Sequence, residues 1–282
     1  MGLSGIETEK NWKVNPKVIH GNEFHENIIL VFGEKPRTAI FAHLDSIGYT
    51  VRYGKQLVKV GGPVIKNGIE LVGSDSQGEI ECKLTVNEEE KTFGYEFERE
   101  IDRGTNLTFK PNFRETNEFV QCCYMDNRLG VWNALKVAET LEEGIIVLST
   151  REEHGGGAVS YVGKYIQEKY GIRQALISDI TWVTEGVTHG NGVAISMRDR
   201  GLPRRVFLER IIDIAKESNI PYQLEVEGSG GSDGLELQSS PYPWEWLFVG
   251  APEDNVHSPD EKVHKKDIES MTALYKVLME KL

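Results

Sequence analysis

Apolar residues change their spacing twice along this chain. Up to residue 47 they culminate in the short apolar run 39–42, which polar residues follow at once, as in a buried strand that ends at a site. Between 48 and about 120 the pattern alternates in short segments at 49–53, 57–60, 78–86 and 105–109. Glycines and Asn-Gly or Asp-Ser pairs separate them, which predicts a small all-β unit made of hairpins. From about 121 onward the segments alternate in type. Apolar positions Leu129, Val131, Trp132, Ala134, Leu135 and Ala138 predict a helix over 129–141. A strand at 144–149, a helix over 159–169 and a strand at 174–178 follow. A strongly amphipathic helix over 204–218 has Pro203 near its start, and a strand at 246–249 and a closing helix over 266–281 complete the chain. This predicts an α/β sandwich with a central mixed sheet flanked by helices. Residues 1–47 and 119–282 form its main domain and 48–118 a small inserted β-rich domain.

Composition narrows the function classes. The 282 residues are 39% hydrophobic and 27% charged, an ordinary globular balance that can bury a sizeable core. No apolar run approaches the roughly 18 residues that span a bilayer. Residues 1–10 are polar and lack the apolar core of a signal peptide, so no membrane partner and a cytoplasmic location are expected. The 32 basic and 44 acidic residues give a net charge of −12. Such a surface repels phosphate backbones and argues against a nucleic-acid partner. Cys82, Cys122 and Cys123 form no CxxC pair, which argues against a disulfide framework or a thiolate zinc site.

Polar residues gather where the predicted strands end, which is where open α/β sheets build their sites. His43-Leu44-Asp45 follows the first strand and Asp126-Asn127-Arg128 opens a helix. Glu152, Glu153 and His154 follow another strand, Ser178-Asp179 a third, and Asp254 and His257 come after the last. Singly, each reads as a cap, a solvated face or a turn. Together, His43, Asp126, Glu153, Asp179 and His257 supply one bridging carboxylate and two further ligands for each of two divalent ions. Nitrogen and oxygen ligands without sulfur suit zinc, with cobalt and manganese also accommodated. Asp45 is placed to accept the second imidazole N–H of His43. Glu152 is left beside a ligand, able to deprotonate a water shared by the metals. Residues 228–233 read as a flexible turn or as a backbone wall of the substrate site. His154 reads as a loop residue near the site, while His189 and His264 are not expected as ligands. His20 and His25 look superficial, and Trp244 and Trp246 pack or line a subunit contact.

These pieces resemble the dinuclear metal aminopeptidases related to glutamyl aminopeptidase, deblocking aminopeptidase and the TET peptidases. The matching runs are the segment at 42–48, Met125-Asp126-Asn127-Arg128 leading into Gly130, and Arg151-Glu152-Glu153 followed by Gly157-Ala158. Further along come Ile177-Ser178-Asp179, the glycine-rich 189–192 and 230–234, and His257-Ser258-Pro259. They run in the family's order over about the whole chain. The resemblance implies that His43 and Asp179 hold one metal, Glu153 and His257 the other, and that Asp126 bridges them. It assigns Asp45 to orienting His43 and Glu152 to general base, and implies a cis peptide after Asp126 and assembly into homo-oligomers. The chain is shorter than typical members, mostly before His43 and in linking loops. Ser46 stands where many members carry Glu, Arg151 where Gln or another polar residue is common, and Asn127 where a second Asp is frequent. The activity implied is removal of N-terminal residues from peptides by metal-assisted hydrolysis. Alternatives are a deacylase or amidase of the same metal chemistry on an acylated amino acid or sugar, a glycosidase with paired carboxylates, and an inactive peptide-binding scaffold.

Overall fold

A computed structural model describes residues 12–282; the polar start, residues 1–10, lies outside the described residues. The order of the large sheet follows from its buried runs. Strands Gly144–Ser149, Thr38–His43, Gln174–Trp182 and Glu245–Asp254 lie side by side and parallel. Ile28–Phe32 adds antiparallel to Gly144–Ser149, and Lys17–Ile19 lies outside it. At the other side, Lys262–His264, Phe119–Gln121 and Arg114–Glu115 extend the sheet, while Val193–Arg198 and Tyr222–Val226 branch from Glu245–Asp254.

Period-two alternation decides which side chain faces which layer. Leu30, Ile40, Ile146, Leu148, Leu176 and Val249 point to one core. There they meet helices α1 (Met125–Ala138), α3 (Arg205–Ser218) and α5 (Lys265–Lys281). Ile29, Val31, Phe41, Val147, Ile177 and Phe248 point the other way. They meet α2 (Val159–Tyr170), with Leu237 of α4 (Asp233–Ser239). Both faces of the central strands are therefore covered, as parallel strands require.

A second sheet has six strands, all between Gly48 and Phe109, in the spatial order Leu57–Val60, Gly48–Val51, Asn106–Phe109, Glu70–Asp75, Gly78–Asn87, Thr92–Glu96. Its inward residues Tyr49, Leu71, Leu84, Leu107 and Phe109 are continuous with the α1 core through Tyr124. The Tyr124 hydroxyl accepts the Phe109 amide at 2.5 Å, tying the two sheets together. No helix among the described residues is long and apolar enough to cross a membrane.

Several expectations shift. Trp132, placed by its spacing on the core face, is 42% exposed and lies under Lys136. Trp244 and Trp246 are buried in the α2-side core, so neither ring is on a surface available to another subunit. The strand expected at 174–178 continues to Trp182, because Glu245–Asp254 pairs with it over its whole length, whereas Thr38–His43 pairs only as far as Ile177. Asp179 consequently sits inside a strand, just past the point where one neighbour ends.

Two polar locks give tests of the fold. The Tyr275 hydroxyl in α5 lies 2.6 Å from the Ile177 carbonyl and 2.9 Å from that of Val249, and is fully buried. Tyr275→Phe should cost about 1–3 kcal/mol, read from urea unfolding. In the second sheet, Asp75 accepts both Arg99 guanidinium hydrogen bonds at 2.6 and 2.9 Å and the amides of Gln77 and Asp102. The Arg99 guanidinium, with those amides, holds the Asp75 carboxyl well below its usual range. A lowered folded pKa gives stability that is present above the unfolded value of about 3.9 and lost as the pH falls through the folded one. Arg99→Met should therefore lower Tm near neutral pH, with the gap to the parent narrowing as the pH drops below about 4.

Candidate active site

Each candidate residue comes from a different segment, and most follow the carboxyl ends of the parallel strands. His43 ends Thr38–His43 and is 2% exposed. Its Nδ1 lies 3.1 Å from the Asp45 carbonyl oxygen, so that nitrogen carries the donor and Nε2 the lone pair, an assignment that follows from the partner. Nε2 faces Asp126 Oδ1 at 3.1 Å and Asp179 Oδ2 at 3.5 Å. His257 repeats the arrangement. Its Nδ1 lies 3.2 Å from the Gly62 carbonyl, and its Nε2 faces Asp126 Oδ2 at 3.4 Å and Glu153 Oε2 at 3.5 Å. Asp126 thus offers one oxygen to each imidazole.

Local backbone geometry makes this possible. Asp126 (φ −77°, ψ 105°) and Asn127 are non-helical at the head of α1, and the peptide between them is cis, as the resemblance implied. Asn127 explains one departure from the family pattern. Its Oδ1 accepts the Gly130 amide and its Nδ2 donates to the Ser178 carbonyl, both at 2.9 Å. An aspartate there could not donate to that carbonyl. A side chain at Gly130 would collide with Asn127 and Ser178, so the helix can approach the Asp179 strand only with glycine.

Asp45 requires a correction. Its carboxylate does not reach the His43 imidazole, standing 3.8 Å from Nδ1, and its carbonyl does that work instead. The carboxylate accepts the amides of Glu152 (3.2 Å) and Glu153 (3.1 Å). A carboxylate just past a strand end is the right distance to cap the 3₁₀ turn Glu152–His154, whose first amides have no partner within the turn. His154 stays at the margin, its Nε2 3.5 Å from Asp45. Asp254 is drawn away from the site to His189 and Lys262.

The cluster holds a cavity of about 340 Å³ lined by His43, Asp126, Glu152, Glu153, Asp179 and His257, among others. Ser229, Gly230 and Gly231 line it too, which makes the glycine-rich run a wall rather than a bare turn. The second sheet contributes Gly61 and Gly62. Gly61 adopts φ +67°, and a side chain there would strike Ile47 and the Glu153 carbonyl.

Electrostatics show what the cluster wants. Burial opposes charge on His43, but Asp179 and Asp126 outweigh it and raise its pKa well above the usual imidazole value. Burial likewise opposes His257, and Asp126 and Glu153 lift it to about 9. Burial would raise Asp126, yet the two imidazoles hold it below its usual range. Asp126 Oδ1 and Glu153 Oε1 are buried with no hydrogen-bond donor. Imidazole lone pairs aimed at carboxylate oxygens at 3.1–3.5 Å are stable only with positive charge between them. The donor set, nitrogen and oxygen without sulfur, fits divalent metal; His43, Asp126 and Glu153 alone bring ligand atoms within 4.8 Å of one another. Burial, reinforced by Asp179, Asp233 and Asp126 against the pull of His43, pushes Glu152 up to about 9.

Sequence reasoning missed Glu261. It is fully buried; Oε2 accepts the amides of Met125 (2.6 Å) and Asp126 (3.2 Å), and Oε1 that of His257 (3.1 Å). One carboxylate thereby sets the backbone of two candidate ligands. Burial pushes it up to about 8, and buried Glu253 lies against it. No motif marks it, since an acidic residue in a loop reads as solvated. Asp233, which accepts a hydrogen bond from Ser149 Oγ at the head of α4, was seen only as part of a glycine-rich run.

Imidazoles and carboxylates at the carboxyl edge of a parallel sheet, beside a further buried glutamate, form a donor set that suits divalent metal. The chain belongs to the M42 glutamyl aminopeptidase family, which matches residues 80–274. Its fold is similar to that of aminopeptidase APDkam598 from the archaeon Desulfurococcus kamchatkensis. They are 21% identical with a TM-score of 0.83, over 95% of this chain and 86% of that one. The Pyrococcus horikoshii TET1 peptidase is also similar, at 21% identity and a TM-score of 0.81, over 95% of this chain and 90% of that one. A curated protein of Acetivibrio thermocellus that carries the name aminopeptidase is 34% identical over 88 residues, 30% of this chain. The match spans only 26% of that relative's length.

Removing the Glu261 carboxylate tests its hold on the ligands. Outer partners of metal ligands typically contribute 10–100-fold in affinity. Glu261→Ala should weaken divalent-metal binding by about that factor, measured by competition with a chelating indicator, with far-ultraviolet circular dichroism unchanged.

Proposed function

We propose that this protein is an aminopeptidase that removes N-terminal residues from peptides using a water activated at a dinuclear site. One observation carries the reading: Asp126 presents its two oxygens to two different imidazoles, each already oriented through its other nitrogen. That is the geometry of a bridging ligand between two ions. Two divalent ions, taken as zinc, would be held by His43 with Asp179 and by Glu153 with His257, and would polarise the scissile carbonyl and acidify a water.

The chain's own residues do the rest. Glu152 lies in the cavity but outside the ligand pairs, where its carboxylate is free to accept a proton from a water held beside it. It takes a proton from the water on a carboxylate oxygen and delivers it to the leaving amine nitrogen. Asp45, by holding the Glu152 and Glu153 amides, fixes the turn that aims base and ligand in different directions. The substrate's free α-ammonium sits among the carboxylates of the cavity. A deacylase or amidase on the same site is not favoured, since family and fold both point to peptidases.

The wider reading is also ours. Residues 1–47 with 119–282 act as the catalytic domain and 48–118 as an inserted domain. The chain works in the cytoplasm, in keeping with three buried free thiols. It self-associates; the TET1 relative is described as assembling into a tetrahedron or an octahedral shell, and Tyr53, Val58 and Phe113 leave apolar surface exposed on or beside the second sheet.

The adjacent glutamates separate base from ligand. Glu152→Gln keeps shape and removes the base, so it should retain two metals per chain while turnover falls at least about a hundredfold. Glu153→Gln should instead lose one metal or bind it far more weakly. Elemental analysis alongside aminoacyl-substrate kinetics reads both. Metal loss in Glu152→Gln with both ions kept in Glu153→Gln would reverse the assignment, and a fully active Glu152→Gln would end the mechanism.

A further inference from the structure

The cavity has carboxylates that neither the ligand set nor the base accounts for. Asp199, Glu225 and Glu227 line it together with Trp182, Ile180, Thr181 and Phe248. Asp199 follows strand Val193–Arg198, while Glu225 lies in Tyr222–Val226 and Glu227 just after it, so the branch of the large sheet forms a second, acidic half of the pocket. Glu225 is 2% exposed; burial raises its pKa, and Glu227 and Asp199 add to the rise. Their hydrogen-bond partners are neutral. The Thr181 hydroxyl donates to Glu225, and the Gly201 amide and Ser232 hydroxyl donate to Asp199. Neutral donors satisfy oxygen lone pairs without cancelling charge.

Among the described residues, no lysine or arginine lines the cavity. Arg198, beside Asp199, donates its Nε to the Asp199 carbonyl and is not part of the wall. Glu153 Oε1, on a side chain 5% exposed, is buried in the same cavity without a hydrogen-bond donor. The apolar rings and Ile180 flank the carboxylates, which suits a side chain with a methylene stem and a cationic end.

We infer that the cavity selects peptides whose N-terminal residue is lysine or arginine, with Glu225, Glu227 and Asp199 as the specificity determinants. The inference rests on the aminopeptidase reading and adds the substrate class to it. A basic side chain places its charge beside Glu225 and Glu227 and near Asp199, the one of the three that already feels a cation, Arg198. An N-terminal glutamate, the residue in the family's name, would bring a further carboxylate against Glu225, Glu227 and Asp199, and is rejected by repulsion. A neutral leucine gains the apolar wall and leaves the carboxylates unpaired.

The test is a panel of Lys-, Arg-, Leu- and Glu-7-amido-4-methylcoumarin substrates with the zinc-loaded protein. The expected kcat/KM for Lys and Arg exceeds that for Leu at least tenfold, with Glu slowest. Glu227→Gln, at a partly exposed position tolerant of substitution, should lower the Lys/Leu ratio of kcat/KM at least fivefold, and Glu225→Gln should do the same. Three results overturn the inference in distinguishable ways. If Leu is cleaved as well as Lys, the specificity is wrong and the aminopeptidase reading stands. If the variants slow all four substrates equally, these carboxylates hold the common α-ammonium rather than the side chain. If no aminoacyl substrate is cleaved, the aminopeptidase reading itself fails, and the specificity with it.

Discussion

The placement of the Asp126 carboxylate between His43 and His257 is the constraint on which the site depends. A carboxylate can present one oxygen to each of two imidazoles only if its backbone is fixed from several sides. Glu261 holds the amides of Met125 and Asp126 from below. Asn127 ties the same turn to Gly130 and to the Ser178 carbonyl, and Ser178 precedes another candidate ligand. Because Glu261 also accepts the His257 amide, a shift in either segment is felt by the other. Local unfolding of the head of α1 would therefore scatter the ligand set as a unit.

The site concentrates negative charge where water is scarce. Burial raises Asp179, Glu152, Glu153, Asp233 and Glu261 together. Left alone, such a cluster would destabilise the fold by self-repulsion. Positive charge between the imidazoles and carboxylates relieves that repulsion. The rigid part of this arrangement stands on strands buried on both faces, and the adjustable part on loops and turns.

The second sheet is more than an appendage. Its Gly61–Gly62 loop reaches the cavity, and the Gly62 carbonyl orients His257. The shared core through Tyr49, Phe109 and Tyr124 makes that loop's position a consequence of packing rather than of a flexible hinge. The His257 imidazole is thus positioned by a carbonyl 195 residues earlier in the chain.

Apolar spacing by itself determined the main elements. The four parallel strands and the helices α1, α2, α3 and α5 begin within a few residues of the expected starts, because buried runs and amphipathic helices leave a strong local signal, while the buried strand Ile28–Phe32 and the far ends of Gln174–Trp182 and Glu245–Asp254 went unread. The short strands Lys17–Ile19, Glu70–Asp75, Thr92–Glu96 and Tyr222–Val226 were not legible, since their pairing partners rather than their own residues hold them. Motif order was likewise enough to group His43, Asp126, Glu153, Asp179 and His257, which line one cavity, because each was expected at the end of a strand or the start of a helix. Tertiary structure alone decided what supports them. Asp45 grips the Glu152 and Glu153 amides instead of the imidazole. Glu261 and Gly62 act on residues distant in sequence, and Asp199, Glu225 and Glu227 meet at one wall. These contacts join backbone amides and carbonyls, which every residue carries alike, to acidic side chains whose solvated and buried forms read the same in a sequence. Only the packing that removes water from them tells the two apart.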